Sequence, residues 1–387
     1  MASLTELQRL VAAGNGRFLE ELEALVNIDC GSYTPDGVNR VADFCADALR
    51  GLGATVERIP HPELGDLVIG RLQGEGPRLL LIGHMDTVFD PGTAAARPFR
   101  VDGQRAHGPG VTDMKAGLLA GMHALAALQQ AGIHPAVTYL CNPDEEIGSP
   151  FSSAHIRALA PSHDAAFVLE CARANGDIVS ARKGVADLRV TIHGRAAHAG
   201  VEPEKGRSAV VEAAHKVLAL HALNGRWPSV TVNAGVIEGG TRPNVVAERC
   251  VVQVDLRAAT LAEFDAASEA LQAIVGSSTV AGTSAELQRV SGHAPMERSE
   301  ASAALVEHAR DIAAKLGFAL ADASTGGASD ANTTSGMGLP TIDGLGPIGG
   351  DDHSAAEWLD LGSVVPRITL LAGLIWRVGQ PASRSAR

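Results

Sequence analysis

The segment RLLLIGHMD, residues 78–86, places an apolar run directly before a histidine and an aspartate. A short apolar run that ends abruptly in polar residues is typical of a strand buried on both faces of a parallel sheet. The same texture recurs at AVTYLC (136–141), which runs into NPDEE (142–146), and at AAFVLE (165–170). Ligands bind beyond the carboxyl ends of strands in such sheets, so we expect these polar residues to form one site.

Helical patterns separate these apolar runs. Residues 115–130 are rich in alanine and leucine, and LVIGRL (67–72) is a further strand. Strands that alternate with helices predict an α/β domain with a mostly parallel sheet sandwiched by helices. The helical pattern of residues 301–316 has the same texture, so we assign residues 1–180 and 293–387 to one domain that carries the site.

The middle of the chain, residues 181–292, has a different pattern. GVADLRVTIHG (184–194) alternates apolar and polar residues, as expected for a strand open to solvent on one face. The further predicted elements are a helix at 208–223, strands at 230–237 and 249–258, a helix at 261–275 and a strand near 285–290. This β-α-β-β-α-β order predicts an inserted α+β domain of ferredoxin-like type.

Composition excludes several classes of partner. The formal net charge of the 387 residues is −12, and there is no run of Lys or Arg, so we expect neither nucleic acid nor a membrane surface as partner. No stretch reaches the apolar length of a transmembrane helix. The N-terminal residues 1–28 are typical of one amphipathic helix and not of a secretory signal. The five cysteines are scattered and form no CxxC, which favours a cytoplasmic protein with reduced thiols.

Metal-capable side chains stand where the predicted strands and glycine-rich loops end. They are His84 and Asp86 after one strand, residues 142–146 after the next, Glu170 after a third, and the loops that carry Asp113 and His353. A lone histidine at a strand end is more often a core residue than a ligand. Several carboxylates gathered at one buried edge, however, would repel one another unless a cation neutralised them. A mixed set of His, Asp and Glu without thiolates suits zinc, and a bridging carboxylate lets five side chains hold two ions.

The motifs as a set resemble the dinuclear zinc aminoacylase/carboxypeptidase family. They are His84-Met-Asp86-Thr-Val, Gly108-Pro-Gly-Val-Thr-Asp113-Met-Lys, Asp144-Glu145-Glu146-Ile-Gly-Ser, Glu170, His198-Ala-Gly and Gly350-Asp-Asp-His353-Ser. This family includes acetylornithine deacetylase, succinyl-diaminopimelate desuccinylase, dipeptidases and bacterial glutamate carboxypeptidase of the carboxypeptidase G type. The phrase PFRVDGQRAHGPGVTDMKAG (98–117) most resembles the glutamate carboxypeptidase branch.

The resemblance implies two Zn²⁺ ions per subunit, with Co²⁺ or Mn²⁺ as substitutes. His84 would bind one ion, His353 would bind the other, and Asp113 would bridge both. Glu146 and Glu170 would each complete the ligands of one ion. Each of these assignments follows from matching the family's motifs position by position.

Further roles near the metals are also implied by the resemblance. Glu145 would be the general base, and Asp86 would accept the second ring N–H of His84 and fix its tautomer. The peptide bond between Asp113 and Met114 would be cis. Many relatives have a second aspartate where Met114 stands, and we do not expect this departure to prevent metal binding. Asp144, next to the glutamate pair, we interpret as a residue of a solvated turn.

The inserted domain carries the rest of the resemblance. His198 matches a histidine that reaches into the active site of a partner subunit and stabilises the oxyanion. Asn233 and Arg242 match residues of a lid that hold the carbonyl and carboxylate of the substrate, and Gly327 matches a loop that frames the pocket. The resemblance therefore implies a homodimer formed through residues 181–292.

The implied reaction is hydrolysis of an amide that joins an acyl or peptidyl group to a C-terminal amino acid with a free carboxylate. A glutamate-type residue is favoured at that position. An N-acyl amino acid deacylase or a dipeptidase of the same family remains an alternative, because the specificity pocket is not readable from the sequence. Two other classes are a non-catalytic peptide-binding homologue and a mainly structural dimer. The intact ligand set argues against both, since buried carboxylates without a cation are costly.

Overall fold

The chain folds into two compact units. The computed structural model describes residues 3–380. Unit 1 comprises the described residues of Met1–Ser180, Arg298–Ser324 and Ser329–Arg387, and unit 2 comprises Ala181–Glu297 and Thr325–Ala328. The predicted insertion, residues 181–292, lies within unit 2, which continues to Glu297 and also includes the short segment after Ser324.

Backbone pairing explains why unit 2 includes these additional residues. Arg182 and Met296 exchange backbone hydrogen bonds, with the N–H of each donating to the carbonyl of the other at 2.9 and 3.0 Å. The N–H of Lys183 donates to the carbonyl oxygen of Thr325 at 3.0 Å. These pairings link residues far apart in the sequence, and no local pattern in either segment predicts them.

The helices occupy much of both units. They are α1 Leu4–Ala13, α2 Asn15–Val26, α3 Pro35–Gly51, α4 Thr93–Ala96, α5 Ala116–Gln130, α6 Ser152–Leu159, α7 Ala209–His221, α8 Leu261–Gly276, α9 Glu300–Leu316, α10 Asp330–Gly336 and α11 Leu361–Val378. The N-terminal segment forms two helices, α1 and α2, and not the one helix that the sequence predicts. The break falls at Gly14, whose low helix propensity makes it a natural junction.

The strands build four sheets. They are β1 Thr55–Ile59, β2 Leu67–Leu72, β3 Glu75–His84, β4 Arg100–Asp102, β5 Arg105–His107, β6 Pro135–Asn142, β7 Ala165–Val168, β8 Ile178–Arg182, β9 Gly184–His193, β10 Thr231–Gly239, β11 Arg249–Ala258, β12 Ser284–His293, β13 Asp322–Thr325, β14 Thr341–Ile342, β15 Gly349–Gly350 and β16 Trp358–Asp360.

The central sheet of unit 1 confirms the predicted α/β class. Its six strands run in the order β1-β2-β6-β3-β7-β14, and the pairs β6–β3, β3–β7 and β7–β14 are parallel. The strands β1 and β2 are antiparallel to their neighbours. The register sets His84 of β3 opposite Asn142 of β6, so the carboxyl ends of these strands lie at one level.

One helix of unit 1 passes the length and composition test for a membrane span. It is α11, with 18 residues and a mean hydropathy of 1.4, whereas the sequence predicts no such stretch. Its interior placement accounts for this composition, because 61% of the helix is buried in the protein. It packs against α1, α5 and α9, so its apolar surface belongs to the core of unit 1.

Unit 2 has the predicted α+β topology. Its antiparallel sheet has the order β10-β11-β9-β12, and α7 and α8 pack on the face that carries Leu188, Val190 and Ile192. A buried ion pair joins Glu212 and Lys216 of α7 at 3.1 Å. The Glu212 carboxylate also accepts the N–H groups of Thr279 and Val280, which follow α8, and Lys216 donates to the carbonyl oxygens of Ile274 and Val275 in the last turn of α8.

Candidate metal centre

Three adjacent parallel strands deliver the first residues of the centre. β3 ends at His84, β7 is followed by Glu170, and β6 runs into the loop that carries Glu145 and Glu146. Because the strands are neighbours in the order β6-β3-β7, their C-terminal side chains converge at one edge. The structure therefore brings together the residues that the sequence predicted from the ends of these strands.

Asp113 lies between two imidazoles. Its Oδ1 is 3.1 Å from Nε2 of His84, and its Oδ2 is 3.1 Å from Nε2 of His353. The loop that carries it begins at Gly110, which has a positive φ of 71°, and the Asp113–Met114 peptide bond is cis, as the resemblance implied. Each oxygen of one carboxylate thus faces a different histidine.

The two remaining carboxylates distribute over the two histidines. Oε2 of Glu146 is 3.1 Å from Nε2 of His353, and Oε1 of Glu170 is 3.7 Å from Nε2 of His84. The geometry therefore contains two halves that share Asp113. One half has His84 with Glu170, and the other has His353 with Glu146.

Opposite charges hold the cluster together. Hydrogen bonds to Asp113 and Glu146 raise the pKa of His353 to about 11, although partial burial opposes this. Burial disfavours protonation of His84, but the carboxylates of Glu170 and Asp113 outweigh it and its pKa lies well above the ordinary value. Burial alone would raise the pKa of Asp113, but the two imidazoles lower it. The carboxylates therefore favour positive charge at both imidazoles, which is the charge that a divalent cation would supply.

The donor set fits a divalent metal. The ligand atoms of His84, Asp113 and Glu146 all lie within 4.8 Å of one another, as do those of His84, Glu145 and Glu170. Oε1 of Glu146 is buried, and among residues 3–380 no hydrogen-bond donor contacts it. A buried carboxylate oxygen without a donor is costly, and a metal ion would satisfy it. Imidazole and carboxylate ligands together are characteristic of zinc sites.

Asp86 contacts the centre differently from the expectation. The nearest acceptor of His84 Nδ1 is the backbone carbonyl oxygen of Asp86 at 2.9 Å, whereas its carboxylate oxygen is 3.4 Å away. The buried carboxylate instead accepts the N–H groups of Glu145 and Glu146, each at 3.1 Å, and the hydroxyl of Ser32 at 2.6 Å. Asp86 therefore orients the imidazole through its main chain and the glutamate loop through its side chain.

A second buried carboxylate anchors the other end of the glutamate loop. Asp330, at the start of α10, accepts the side-chain amide of Asn142 at 2.5 Å and the hydroxyl of Ser149 at 2.6 Å. Burial raises the pKa of Asp330 to about 6. Burial, with the neighbouring charges of Glu170 and Asp330, also raises the pKa of Glu145 well above its ordinary value. Glu145 is therefore a stronger proton acceptor than a solvated glutamate.

The interpretation of Asp144 as a solvated residue is wrong. Its side chain is fully buried and accepts the N–H of Phe151 at 2.6 Å and that of Ser152 at 3.3 Å. These donors begin α6 and have no partner inside the helix. The acidic loop looked hydrophilic in sequence because the helix that it caps starts several residues later.

The structure also shows contacting residues that the sequence reasoning missed. Glu357 is buried and accepts backbone N–H bonds from the loop that carries Asp113, and burial raises its pKa to about 7. Lys115 is buried and donates to the carbonyl oxygens of Ile28 and Pro109, each at 3.1 Å. The sulfur of Met114 accepts the N–H of His84 at 3.1 Å. Little in the sequence indicated these residues, because each contacts main-chain groups of another segment.

The predicted substrate residues lie in unit 2 and are exposed. They are His198, Asn233, Arg242 and Gly327. The loops of His198 and Arg242 pair with each other, since the N–H of Ala199 donates to the carbonyl of Asn244 at 3.0 Å. Asn233 pairs with Asp255 across the sheet, and the carbonyl of Gly327 accepts from Arg182 at 3.0 Å.

Comparisons with known proteins find relatives that cover most of this chain. The model of peptidase family M20/M25/M40 matches residues 80–377. Carboxypeptidase G2 of Pseudomonas sp. (strain RS-16) is 32% identical over 369 residues, which cover 93% of this chain and 89% of the relative. Acetylornithine deacetylase of Proteus mirabilis (strain HI4320) is 28% identical over 231 residues, or 56% of this chain and 59% of the relative. The crystal structure of aminopeptidase PepT from Bacillus cereus ATCC 10987 superposes with a TM-score of 0.78 at 23% identity, covering 95% of this chain and 99% of that chain.

The chain belongs to the M20/M25/M40 peptidase family. Members of this family depend on metal ions, and relatives of this chain are named carboxypeptidases and deacetylases. The protein is therefore an enzyme of the metallocarboxypeptidase and amidohydrolase class. This confirms the family, the fold class and the enzyme class that the motifs predicted.

Proposed function

We propose that the protein is a dinuclear zinc exopeptidase that cleaves the amide joining an acyl or peptidyl group to a C-terminal amino acid. The observation that carries this proposal is the position of Asp113, with one oxygen facing His84 and the other facing His353. Glu170 and Glu146 complete the two halves on opposite sides of that bridge. The two-fold division of ligands matches what two metal ions require.

The residues of the chain have distinct roles in this proposal. His84, Asp113, Glu146, Glu170 and His353 would hold the ions. Zinc, when bound, lowers the pKa of water and polarises a carbonyl. Glu145 would take a proton from the attacking water and return it to the leaving amine. Asp86 would hold the N–H of Glu145, and Asp330 would anchor the loop that carries it.

Glu145 is suited to the role of general base by its surroundings. Its main-chain N–H is fixed to the Asp86 carboxylate at 3.1 Å, which limits movement of the loop. Its own raised pKa brings it closer to the neutral range in which a general base is most efficient. Glu145 and Glu146 are adjacent in the chain, yet we assign catalysis to the first and metal binding to the second.

For the substrate we propose an N-acyl or peptidyl amino acid with a free carboxylate and a glutamate-type C-terminal residue. Support comes from the similarity of residues 98–117 to the glutamate carboxypeptidase branch and from the 32% identity to carboxypeptidase G2. Arg242 and Asn233 would contact the substrate, Gly327 would frame it, and His198 would stabilise the oxyanion. An N-acyl amino acid deacylase is the second candidate, supported by the identity to acetylornithine deacetylase.

We also propose a cytoplasmic homodimer that forms through unit 2. Edge strand β10 exposes Val236 and Ile237, which are 42% and 53% exposed. Helix α7 exposes Val211 at 48% and Leu218 at 69%. Helix α7 packs against β10, so apolar residues of both elements are available to a second copy.

A hydrolysis panel tests the proposed function. The zinc-loaded protein is incubated with benzoyl- and pteroyl-glutamate, N-acetyl amino acids and dipeptides, and the released amino acid is measured. We expect the fastest release from the glutamate conjugates. Faster release from N-acetyl amino acids would favour the deacylase. No release from any substrate, together with no bound metal after zinc or cobalt is added, would overturn the enzymatic proposal for this chain.

A further inference from the structure

A buried glutamate accepts hydrogen bonds from the loop that carries the bridging aspartate of the proposed metal centre. Glu357 is 2% exposed and lies four residues after His353. Its Oε2 accepts the N–H of Gly110 at 2.9 Å. Its Oε1 accepts the N–H of Thr112 at 2.9 Å and that of Asp113 at 3.1 Å. One carboxylate therefore satisfies three main-chain donors of the loop that carries the bridging aspartate.

The surrounding strands place Glu357 where two segments of the centre meet. The strand that follows it, β16, pairs with β5, and β5 leads directly into the Asp113 loop. Nδ1 of His107 in β5 is 2.9 Å from the carbonyl oxygen of Glu357. Gly349 packs so closely on the loop that an added Cβ would lie 1.9 Å from Oγ1 of Thr112. The His353 segment and the Asp113 loop thus form one packed assembly.

We propose that Glu357 is a positioning residue for metal binding. It is on the same segment as His353 and holds the main chain of Asp113, so it sets the separation of two ligands that must face one pair of ions. Its carboxylate accepts hydrogen bonds from the main-chain N–H groups of Gly110, Thr112 and Asp113, so it acts through the backbone of the Asp113 loop. This inference rests on the proposed dinuclear site. It gives a role to Glu357, which is not one of the five proposed ligands.

Substitution of Glu357 would disturb the bridge in a graded way. In Glu357→Gln the amide oxygen still accepts from Thr112 and Asp113, but the amide nitrogen faces the N–H of Gly110, donor to donor. In Glu357→Ala all three donors lose their acceptor. Partners that orient ligands typically contribute about 10–100-fold to metal affinity. We expect losses within that range, with the smaller loss for Gln.

A purely structural role is the competing explanation, and unit 2 offers a matched control. Glu212 is 1% exposed and accepts the N–H groups of Thr279 and Val280 at 2.9 and 2.7 Å. It is therefore also a buried glutamate that anchors a loop through main-chain donors. Glu212→Gln should lower the unfolding midpoint without changing metal affinity, because no predicted metal ligand lies in unit 2.

The experiment compares the full-length wild type with Glu357→Gln, Glu357→Ala and Glu212→Gln. Each protein is stripped with a chelator, and its Zn²⁺ affinity is measured by competition with a chromophoric chelator. The visible absorption spectrum of the Co²⁺-loaded protein reports ligand geometry, and the unfolding midpoint of the metal-free protein reports folding. Glu357→Gln keeps the shape of the side chain, so the comparison stands even where Glu357→Ala does not fold.

We expect each Glu357 variant that folds to lose Zn²⁺ affinity and to show an altered Co²⁺ spectrum. Glu212→Gln should keep the wild-type affinity and the wild-type spectrum. Unchanged affinity and spectrum in Glu357→Gln and Glu357→Ala, with only a lower midpoint, would overturn the positioning role and leave the proposed function intact. A wild type that binds neither Zn²⁺ nor Co²⁺ would overturn the proposed function, and the positioning role with it.

Discussion

The two units hold most of their candidate functional residues in different ways. In unit 1 four of the five proposed ligands are buried or half-buried, whereas His353 is 55% exposed. Asp86, Asp330 and Glu357 each accept hydrogen bonds from a segment that carries site residues. In unit 2 His198 and Arg242 are exposed, and backbone pairing between their loops is what holds them. A site for ions must be pre-organised because its carboxylates repel one another, whereas groups that meet a substrate must remain accessible.

The strongest test of this contrast removes the bridge. Asp113→Ala takes away the carboxylate that faces both His84 and His353, so we expect loss of both ions and of all detectable hydrolysis. Metal content and turnover are measured on the purified variant. Asp311→Ala, which removes an exposed carboxylate 3.3 Å from Arg377, serves as the control and should keep both. Full metal content in Asp113→Ala would show that the bridge has been placed wrongly.

Glu145→Gln separates catalysis from metal binding inside unit 1. General acid–base groups contribute about 10²–10⁴-fold to turnover, so kcat should fall by that factor. Metal content should stay at the wild-type level because the five proposed ligands are unchanged. Glu145 also lies within ligand distance of His84 and Glu170. A metal-free Glu145→Gln protein would therefore mean that Glu145 is a ligand and that its role must be exchanged with that of Glu146.

Arg242→Ala tests the exposed residues of unit 2. A hydrogen bond to a charged group contributes about 1.5–3 kcal/mol, so kcat/KM should fall roughly 10–100-fold. Metal content and unfolding midpoint should not change, because the side chain is exposed. Arg226→Ala is a suitable control, since this exposed arginine packs on Trp227 and has no proposed substrate contact. Equal losses in both variants would argue against a specific role for Arg242.

The cross-subunit role of His198 needs a complementation test. Mixed dimers of His198→Ala with Glu145→Gln contain one active site with both wild-type groups if His198 acts on the partner's site. We expect the mixture to regain part of the wild-type activity after subunit exchange, while each variant alone stays inactive. Demonstrated mixed dimers without regained activity would place His198 in its own subunit's site or outside catalysis.

Metal affinity should depend on pH with a definite sign. In the metal-free protein the pKa of His353 is about 11, so its imidazole is protonated at neutral pH and a metal ion must displace that proton. Zn²⁺ affinity should therefore rise as pH increases from 6 to 8, by up to ~10-fold per unit for each proton displaced. Chelator competition measures the affinity at each pH. An affinity that falls between pH 6 and 8 would contradict the assignment of His353 as a ligand.

The raised pKa of His353 has the opposite effect on the stability of the metal-free protein, which should fall as pH rises. A raised histidine pKa stabilises the folded state most below the unfolded value of about 6.5. That contribution is lost as pH rises through the folded value of about 11. The unfolding midpoint of the stripped protein should therefore decline through mildly alkaline pH, and His353→Gln should flatten this decline.

The smallest expected effect concerns stability alone. Asp144→Ala leaves the N–H groups of Phe151 and Ser152 without their acceptor at the start of α6. Such unsatisfied donors cost about 1–3 kcal/mol each, so the free energy of unfolding should fall by an amount of this order. Urea unfolding measures it. A stability equal to that of wild type would restore the interpretation of Asp144 as a solvated turn residue.

Much of the fold and of the candidate site was predictable from local pattern. Apolar runs that end in His84, in the 142–146 loop and in Glu170 predicted parallel strands, and the register of β3 with β6 agrees. The β-α-β-β-α-β order of unit 2 followed from alternation in the same way. The motifs then located the proposed ligands, because ligand types must recur at positions that the backbone brings together.

The parts that were not predictable depend on contacts between distant segments. The Asp86 carboxylate binds main-chain groups nearly sixty residues away, and Glu357 binds a loop more than two hundred residues before it. The burial of Asp144 and the composition of α11 were misjudged for a related reason. Whether a polar or apolar side chain is buried depends on what packs over it, and local sequence does not contain that information.

The sequence by itself determined which residue types stand at the ends of which strands, and so the family, the fold class and the proposed ligands. Periodicity and turn chemistry are local, and a short segment is enough to express them. The tertiary structure alone decided which oxygen of Asp113 faces which histidine and which buried carboxylates hold the ligand loops. These arrangements arise from main-chain donors that must find acceptors once water is excluded, and only the folded chain brings those acceptors within reach.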